Sequence, residues 1–111
     1  MENPINDLRS AIALLQRHEG QFHETDYPVD PNAELAGVYR HIGAGGTVKR
    51  PTRTGPAMMF NSVKGYPGSR ILVGMHASRD RAALLLGCEP SELAKHVGQA
   101  VKKPVAPVVV P

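Results

Sequence analysis

The residue types that could do chemistry are scattered along this chain as single residues. No histidine pairs with another at the spacing of two ligands on one helix face, and the one cysteine has no cysteine partner. A zinc site needs a convergent set of histidine, cysteine or carboxylate ligands. The sequence therefore predicts no metal ligand in this chain and structural or exposed roles for its histidines. These are His18, His23, His41, His76 and His96.

Neither candidate nucleophile has a setting that would activate it. Cys88 follows the expected end of a helix, whereas a reactive thiolate favours a helix N-terminus or adjacent cations. We expect it to be a small buried apolar residue. Ser78 stands where a helix-capping residue belongs, and no histidine and aspartate can be assigned to it. The sequence predicts no catalytic residue and no cofactor-binding residue in this chain.

Residues 43–55 form a loop that is rich in glycine and in bases. Glycine amides and cations can hold an anion together. The loop follows a predicted helix, however, and lacks the Gly-Lys-Ser/Thr ending of a phosphate loop, while Val48 breaks the glycine pattern of a dinucleotide site. We interpret it as an exposed or interdomain loop, with anion binding as the alternative.

Three arginines, Arg70, Arg79 and Arg81, lie close together in the sequence. Arg79 and Arg81 are two residues apart on a predicted helix, so they face different directions. We expect one of them to bind a carboxylate inside the domain and the other to reach a neighbouring domain. Direct binding of a substrate carboxylate is the less favoured alternative.

The pattern of apolar residues predicts a hairpin that positions these arginines. Residues 57–63 are apolar on both alternations, which is typical of a strand covered on both faces. A turn dense in glycine and proline over residues 64–69 leads to a second apolar strand, residues 71–75. A short strand is also expected at residues 22–25.

Four helices are expected around this hairpin. The first spans residues 7–19, and the second is capped by Asp30 with Pro31 at its first position. The third spans residues 79–86 between a Ser78 cap and Gly87, and the fourth starts at Pro90. The predicted fold is α+β, a small and mainly antiparallel sheet packed with about four helices. Its predicted inward residues are Leu8, Ala11, Ile12, Leu15, Leu35, Val38, Tyr39, Ile42, Ala82, Ala83, Leu85, Leu86, Leu93, Val97, Ala100 and Val101.

Length and composition limit the class of protein. A chain of 111 residues forms one domain with a modest core. It has no apolar run near the ~20 residues that a membrane span needs, and its start lacks the features of a signal peptide. A single cysteine suits a reducing cytoplasm.

The net charge of +3 is unevenly distributed. Residues 1–38 hold seven acids and two bases, whereas residues 39–111 hold three acids and eleven bases. A basic half can indicate nucleic-acid binding, but no aromatic residues are interleaved with the bases and no binding motif occurs. We favour a solvated surface or one complementary to another domain.

An ordered set of short motifs resembles the N-terminal region of the UbiD-type decarboxylases. The hairpin and the helix after it carry the pattern, and a segment near the start agrees with it. Within the family, the chain is most similar to the large subunit of protocatechuate and 4-hydroxybenzoate (or vanillate and gallate) decarboxylases. The matching residues are Gly55, Pro56, Ala57, Phe60, Val63, Lys64, Gly65, Pro67, Arg70, Ser78, Arg79, Arg81, Ala83, Leu84, Leu86 and Gly87, with Asp7, Leu8, Arg9, Leu15, Gly20, Gln21, Glu24, Val29, Asp30, Pro31, Glu34, Leu35 and Ala36.

The resemblance implies a function that belongs to a longer protein. Enzymes of this family reversibly decarboxylate aromatic acids with prenylated FMN, a divalent metal (Mn²⁺ or Mg²⁺) and often K⁺. Their acid, base and metal-binding residues lie in a central domain that this chain does not match, so no catalytic residue is transferred. The resemblance also implies a homo-oligomer for the whole enzyme, with an aromatic acid as substrate, and we expect the protein to be cytoplasmic from its single cysteine.

The last residues are consistent with that interpretation. Residues 104–111 are prolines, valines and one alanine, an unusual ending for a free soluble chain. We expect residues 1–103 to form one α+β domain and residues 104–111 to be a linker toward a missing cofactor-binding domain. Two other hypotheses stay open: a stand-alone accessory or binding protein, and a nucleic-acid-binding module.

Overall fold

Three short strands form a mixed sheet in the computed structural model, which describes residues 5–43 and 55–111. Strands β1 (Phe22–Thr25), β2 (Ala57–Phe60) and β3 (Ile71–Val73) lie in the order β1-β2-β3. Strand β2 pairs in parallel with β1 and antiparallel with β3. The predicted hairpin and the α+β class are confirmed. The sheet is mixed rather than mainly antiparallel because β1 lies parallel to β2.

The four helices of the described residues pack around this sheet or extend from it. They are α1 (Leu8–Gln16), α2 (Glu34–Gly43), α3 (Arg79–Leu86) and α4 (Leu93–Val101). A 3-10 turn (Pro90–Glu92) precedes α4. No helix in the described ranges has the length and apolar character needed to span a bilayer.

The core lies on both faces of β2, as the apolar pattern predicts. All four β2 residues are buried. Met58 and Phe60 pack with Val29 and Leu35 on the face that α2 covers. Met59 points to the opposite face, where α1 buries Leu14 and Leu15.

Helix α1 is shorter than the predicted span of residues 7–19. It begins after Asp7, whose carboxylate accepts a hydrogen bond from the Ser10 N–H at 2.7 Å, while the Ser10 hydroxyl accepts one from the Asp7 N–H at 3.1 Å. This reciprocal pair is a capping box with serine at the third position. The helix ends at Gln16, and the chain turns before Gly20, which has a φ of 78°.

The predicted start of the second helix is wrong. Ala33 has a φ of 67°, in the left-handed region, so the helix cannot begin before it. The Asp30 carboxylate instead accepts a hydrogen bond from the Asn32 N–H at 2.8 Å and closes a turn over residues 31–33. Of the residues expected to face inward, Leu35 is buried, Val38 and Tyr39 are half-buried, and Ile42 is exposed.

Helix α3 begins and ends as predicted. The Ser78 hydroxyl accepts a hydrogen bond from the Arg81 N–H, and Gly87 has a φ of 73°. The N–H groups of Gly87 and Cys88 donate to the carbonyls of Leu84 and Ala83, which is the Schellman ending. The inward face differs from prediction: Ala83 and Arg81 are buried, whereas Leu86 is 45% exposed.

The prediction that α4 turns an apolar face inward is wrong for this chain. None of its residues is buried. Leu93 is half-buried, but Val97, Ala100 and Val101 are exposed. The helix leaves the body of the domain after the 3-10 turn, and residues 102–111 are exposed beyond it.

Candidate functional site

A buried arginine joins the elements at one edge of the sheet. Arg81 is only 1% exposed and is among the largest fully buried side chains of the described residues. Its position on the first turn of α3 follows from the Ser78 cap, which fixes where that helix begins.

The acceptors of Arg81 come from all three strand ends. Its Nη2 donates to the Gly74 carbonyl at 2.7 Å, and its Nη1 donates to the Gly55 carbonyl at 2.8 Å. Nε donates to the carbonyls of Gly74 and Met75 at 3.0 and 3.2 Å, and Nη1 also reaches the Gln21 side-chain oxygen at 3.3 Å. Because β1 and β2 begin at this edge and β3 ends there, one guanidinium ties three strands to one helix.

The charge of Arg81 is balanced by dipoles. Among the described residues its hydrogen-bond acceptors are carbonyl and amide oxygens, so the expectation that an internal arginine binds a carboxylate is wrong. Burial lowers the pKa of the Arg81 guanidinium from its ordinary value, yet an arginine stays charged at neutral pH. Its donors are committed to the fold, which leaves this group unsuited to binding a substrate.

Tyr39, on α2, packs against the loop that follows β3, which also contacts Arg81. A Cβ added at Gly74 would lie 2.6 Å from ring carbons of Tyr39, so this glycine and the ring are in direct contact. The Tyr39 hydroxyl is buried and has no hydrogen-bond partner among the described residues. The Gly74 loop is therefore held between the tyrosine ring and the Arg81 guanidinium.

The other two arginines lie at the surface. Arg79 is exposed, and its Nε donates to the Pro90 carbonyl at 3.1 Å, which ties α3 to the 3-10 turn. Arg79 and Arg81 face different directions, as predicted. Arg70 is exposed and lines an open cavity of about 560 Å³ between α1 and the sheet. The other lining residues are Asp7, Leu8, Arg9, Ile12, Met59 and Leu72.

This cavity is a groove lined by four apolar and three charged residues. Its floor is Met59 and Leu72, which are paired neighbours on β2 and β3. The Asp7 carboxylate is held by Ser10 and is thereby committed to the helix cap. That hydrogen bond lowers the pKa of Asp7 from its ordinary value of 3.8. The described residues that line the groove bring together no acid, base and nucleophile.

One polar cluster lies at the C-terminal ends of β1 and β2, opposite the end that Arg81 contacts. The Asn61 side-chain amide donates to Asp26 at 2.9 Å and to Glu24 at 3.3 Å. Its amide oxygen is buried without a partner among the described residues. The cluster links the end of β1 and the residue after it to the loop that follows β2.

The histidines and the cysteine considered as candidate site residues do not form a cluster in the described ranges. Within residues 5–43 and 55–111, no three histidine, cysteine or acidic side chains lie close enough to hold a metal ion. His18 contacts the Leu14 carbonyl at 3.0 Å, and the other four histidines are exposed. Cys88 is a free thiol and is half-buried rather than buried. The candidate anion-binding loop lies largely outside the described residues.

Sequence reasoning missed the role of Arg81. A charged residue on a short helix is ordinarily exposed, and its acceptors lie 6 to 60 residues away in the chain. No local pattern indicates that Arg81 is buried. Ala83, the other buried residue of α3, lies two residues beyond Arg81 and therefore faces a different direction.

Comparison with known proteins gives consistent matches along the chain. A family model described as the 3-octaprenyl-4-hydroxybenzoate carboxy-lyase N-terminal domain matches residues 13–101. Gallate decarboxylase of Lactiplantibacillus plantarum is 52% identical over 104 residues, which are 94% of this chain and 21% of that protein.

Two solved structures share the fold. The apo 3,4-dihydroxybenzoic acid decarboxylase of Enterobacter cloacae is 91% identical, with a TM-score of 0.86 over 98% of this chain and 22% of that one. The apo enzyme of the same name from Klebsiella pneumoniae is 83% identical, with a TM-score of 0.86 over 96% of this chain and 22% of that one. The chain thus spans about a fifth of the length of these relatives. Since the family model matches most of its residues, this chain belongs to the UbiD family as a 3-octaprenyl-4-hydroxybenzoate carboxy-lyase N-terminal domain.

Proposed function

We propose that this chain is the N-terminal, non-catalytic domain of an enzyme that reversibly and non-oxidatively removes CO₂ from 3,4-dihydroxybenzoate (protocatechuate). The observation that carries the proposal is the 91% identity, over 98% of this chain, with the Enterobacter cloacae decarboxylase of that substrate. Gallate, vanillate and 4-hydroxybenzoate are the alternative substrates within the same class.

The chemistry of the described residues supports a non-catalytic role. Arg81 donates to carbonyl and amide oxygens of the fold, and Asp7 is committed to a helix cap. The described residues provide no set of metal ligands. We therefore place the reacting groups in the part of the enzyme that lies outside this domain.

The proposed cofactor is prenylated FMN with Mn²⁺ or Mg²⁺ and K⁺, on the basis of the family resemblance. The described residues of this chain bring together no cluster of metal ligands, and we propose that the site of the cofactor and its metal lies in the remainder of the enzyme. There the flavin would serve as an electron sink while CO₂ leaves. We propose that this domain supports the neighbouring domain mechanically.

The setting of the whole enzyme is part of the same proposal. Its partners are the remaining domains of the decarboxylase, and we propose a homo-oligomer in the cytoplasm. The single cysteine suits a reducing compartment.

The proposal is tested on the intact native protein. An antibody raised against this domain should detect in the source cells a polypeptide several times heavier than 11.9 kDa. A band at 11.9 kDa would contradict the proposal and support the stand-alone accessory protein.

The activity is tested on the intact protein loaded with prenylated FMN and Mn²⁺. We expect CO₂ release from 3,4-dihydroxybenzoate to be faster than from gallate, vanillate or 4-hydroxybenzoate, and no release by the 111-residue chain alone. If the loaded protein releases no CO₂ from any of the four acids, the proposed function is wrong.

A further inference from the structure

The unexplained part of this molecule is its C-terminal arm, which we define as residues 93–111. It consists of α4 and residues 102–111, which follow the helix and are exposed. Leu93, Val97 and Val101 recur every four residues and therefore share one face of α4. Val97 is 44% exposed and Val101 is 73% exposed, so most of this apolar face meets water in the described chain.

The residues after α4 continue this apolar surface. Val105, Val108, Val109 and Val110 are each between 74% and 94% exposed. The prolines among them lack the N–H groups that a strand inside a sheet needs. The composition of the segment therefore favours contact with another surface through its valine side chains rather than pairing inside a sheet.

The arm has few neighbours within its own domain. In the part of the chain that the structure describes, its close backbone contacts are chiefly with the 3-10 turn before it. An isolated helix of nine residues is marginal in water, since most helices of that length depend on tertiary packing. The ordering of α4 therefore calls for a surface that the described residues do not supply.

Comparison with the full-length relative indicates where that surface is. The match to the Enterobacter cloacae enzyme covers 98% of this chain, so the arm lies within the matched region. The same match covers 22% of that protein, which leaves nearly four-fifths of its polypeptide outside this domain. A contiguous exposed apolar surface is typical of an interaction site.

We propose, on the basis of the proposed function, that the arm is a docking surface for the remainder of the same decarboxylase polypeptide. The α4 face with Val97 and Val101 and the valines after it bind an apolar surface of that remainder. The arm thereby fixes the orientation of the N-terminal domain.

The test is amide hydrogen exchange in the intact decarboxylase. In a docked arm, the amides of residues 97–101 exchange at least about 100-fold more slowly than in an unstructured peptide, whereas an undocked short helix stays within about tenfold of the peptide. Exchange at the undocked rate would overturn the proposal. Protection that disappears on dilution would also overturn it, because the occupant would then be a second copy.

Two variants of the intact enzyme identify the face. Val101→Asp places a charge on the docking face, and we expect exchange in α4 to become at least about tenfold faster. Gln99→Asp places the same charge about 200° around the helix and should leave exchange within about twofold of the wild type. Equal effects of the two substitutions would overturn the assignment of this face.

The outcomes separate the docking surface from the proposed function. An intact protein whose arm is protected but which releases no CO₂ from the four acids retains the docking surface and loses the function. An enzyme that decarboxylates normally with an unprotected arm retains the function and loses the docking surface. A native polypeptide of 11.9 kDa would overturn both, since no remainder of the chain would exist.

Discussion

Arg81 stabilises a small core through hydrogen bonds to several separate segments of the chain. Its donors satisfy carbonyls of Gly55, Gly74 and Met75 and reach the Gln21 side-chain oxygen, and these acceptors lie at the ends of all three strands. Buried carbonyls without a partner destabilise a fold, and a guanidinium offers five donors in a fixed plane. A chain with no tryptophan and two phenylalanines gains cohesion from such a group.

We predict that Arg81→Met lowers the free energy of unfolding by at least about 3 kcal/mol, because several buried acceptors lose their donor. Arg79→Met is the matched control on the same helix. Arg79 is exposed and makes one hydrogen bond to the Pro90 carbonyl, so we expect a loss below about 1 kcal/mol. Urea unfolding of both variants measures the difference.

Arg81→Lys adds a check on geometry. A lysine keeps the charge but cannot reproduce the planar fork of donors, so this variant should lose most of the same stability. Equal stability losses for the Arg79 and Arg81 variants would contradict the assigned role.

Asp7 gives a pH-dependent prediction at the same scale. Its hydrogen bond from the Ser10 N–H lowers its pKa below 3.8 in the folded state. A carboxyl group with a depressed folded pKa stabilises the fold above its unfolded pKa, and this contribution is lost as the pH falls through the folded pKa. The Asp7 contribution should therefore be constant near neutral pH and disappear in strong acid.

Asp7→Asn isolates this contribution because asparagine also caps helices but does not titrate. The urea midpoint of the wild type should fall toward that of the variant as the pH decreases below 3.8. A difference between the two proteins that stays constant from neutral pH into strong acid would refute the prediction.

At the scale of elements, the loop after β3 depends on a glycine for two reasons. Gly74 has a φ of 80°, and an added Cβ would collide with the Tyr39 ring. Gly68 has a φ of 81°, but a Cβ there would meet nothing within 4 Å. The two glycines therefore separate the cost of backbone strain from the cost of a collision.

We predict that Gly68→Ala costs about 1 kcal/mol of stability, from the left-handed conformation alone. Gly74→Ala should cost at least about 2 kcal/mol more, because the ring of Tyr39 packs against the core and cannot move freely. Thermal or urea unfolding of the two variants makes the comparison. Equal losses would show that the Tyr39 contact does not constrain the loop.

Local signals explain which elements could be predicted from the sequence. The Ser78 cap and Gly87 define α3 because both act on their own backbone neighbours. The prediction of where α2 starts was wrong because Ala33 adopts a conformation that is unusual for alanine. The parallel pairing of β1 with β2 joins residues 35 positions apart, such as Phe22 and Ala57, and short-range patterns do not encode such pairings.

The contacts of Arg81 were harder to predict than the helices and strands, because they also join segments that are distant in the sequence. The convergence of Gln21, Gly55, Gly74 and Met75 on Arg81 is a product of the tertiary fold. The α4 pattern correctly indicated an amphipathic helix. It could not say that the covering surface lies outside the described domain, since periodicity identifies a face and not its partner.

At the scale of the whole molecule, the chain divides into a packed body and an arm. The Cα radius of gyration is 16.1 Å, whereas a compact chain of this length has a value of about 13 Å. The body holds every buried apolar residue of the described ranges, from Ala11 to Ala83. The arm contributes none of them.

This division predicts that the arm can be removed without unfolding the body. A chain that ends at Glu92 lacks α4 and the valines but keeps every buried side chain, so its free energy of unfolding should stay within about 1 kcal/mol of the wild type. Its solubility should rise because the exposed valines are gone.

Removal of the other end is the matched experiment. A chain that begins at Gln21 loses α1, and with it Leu14 and Leu15, which are 4% and 0% exposed. Burial of two such leucines contributes about 3 to 6 kcal/mol, comparable to the whole stability of a small domain, so this variant should not fold. Urea unfolding followed by circular dichroism distinguishes the two truncations. If loss of the arm unfolds the chain as loss of α1 does, then α4 belongs to the core of this domain. Its apolar face would then not be a docking surface for the remainder of the polypeptide.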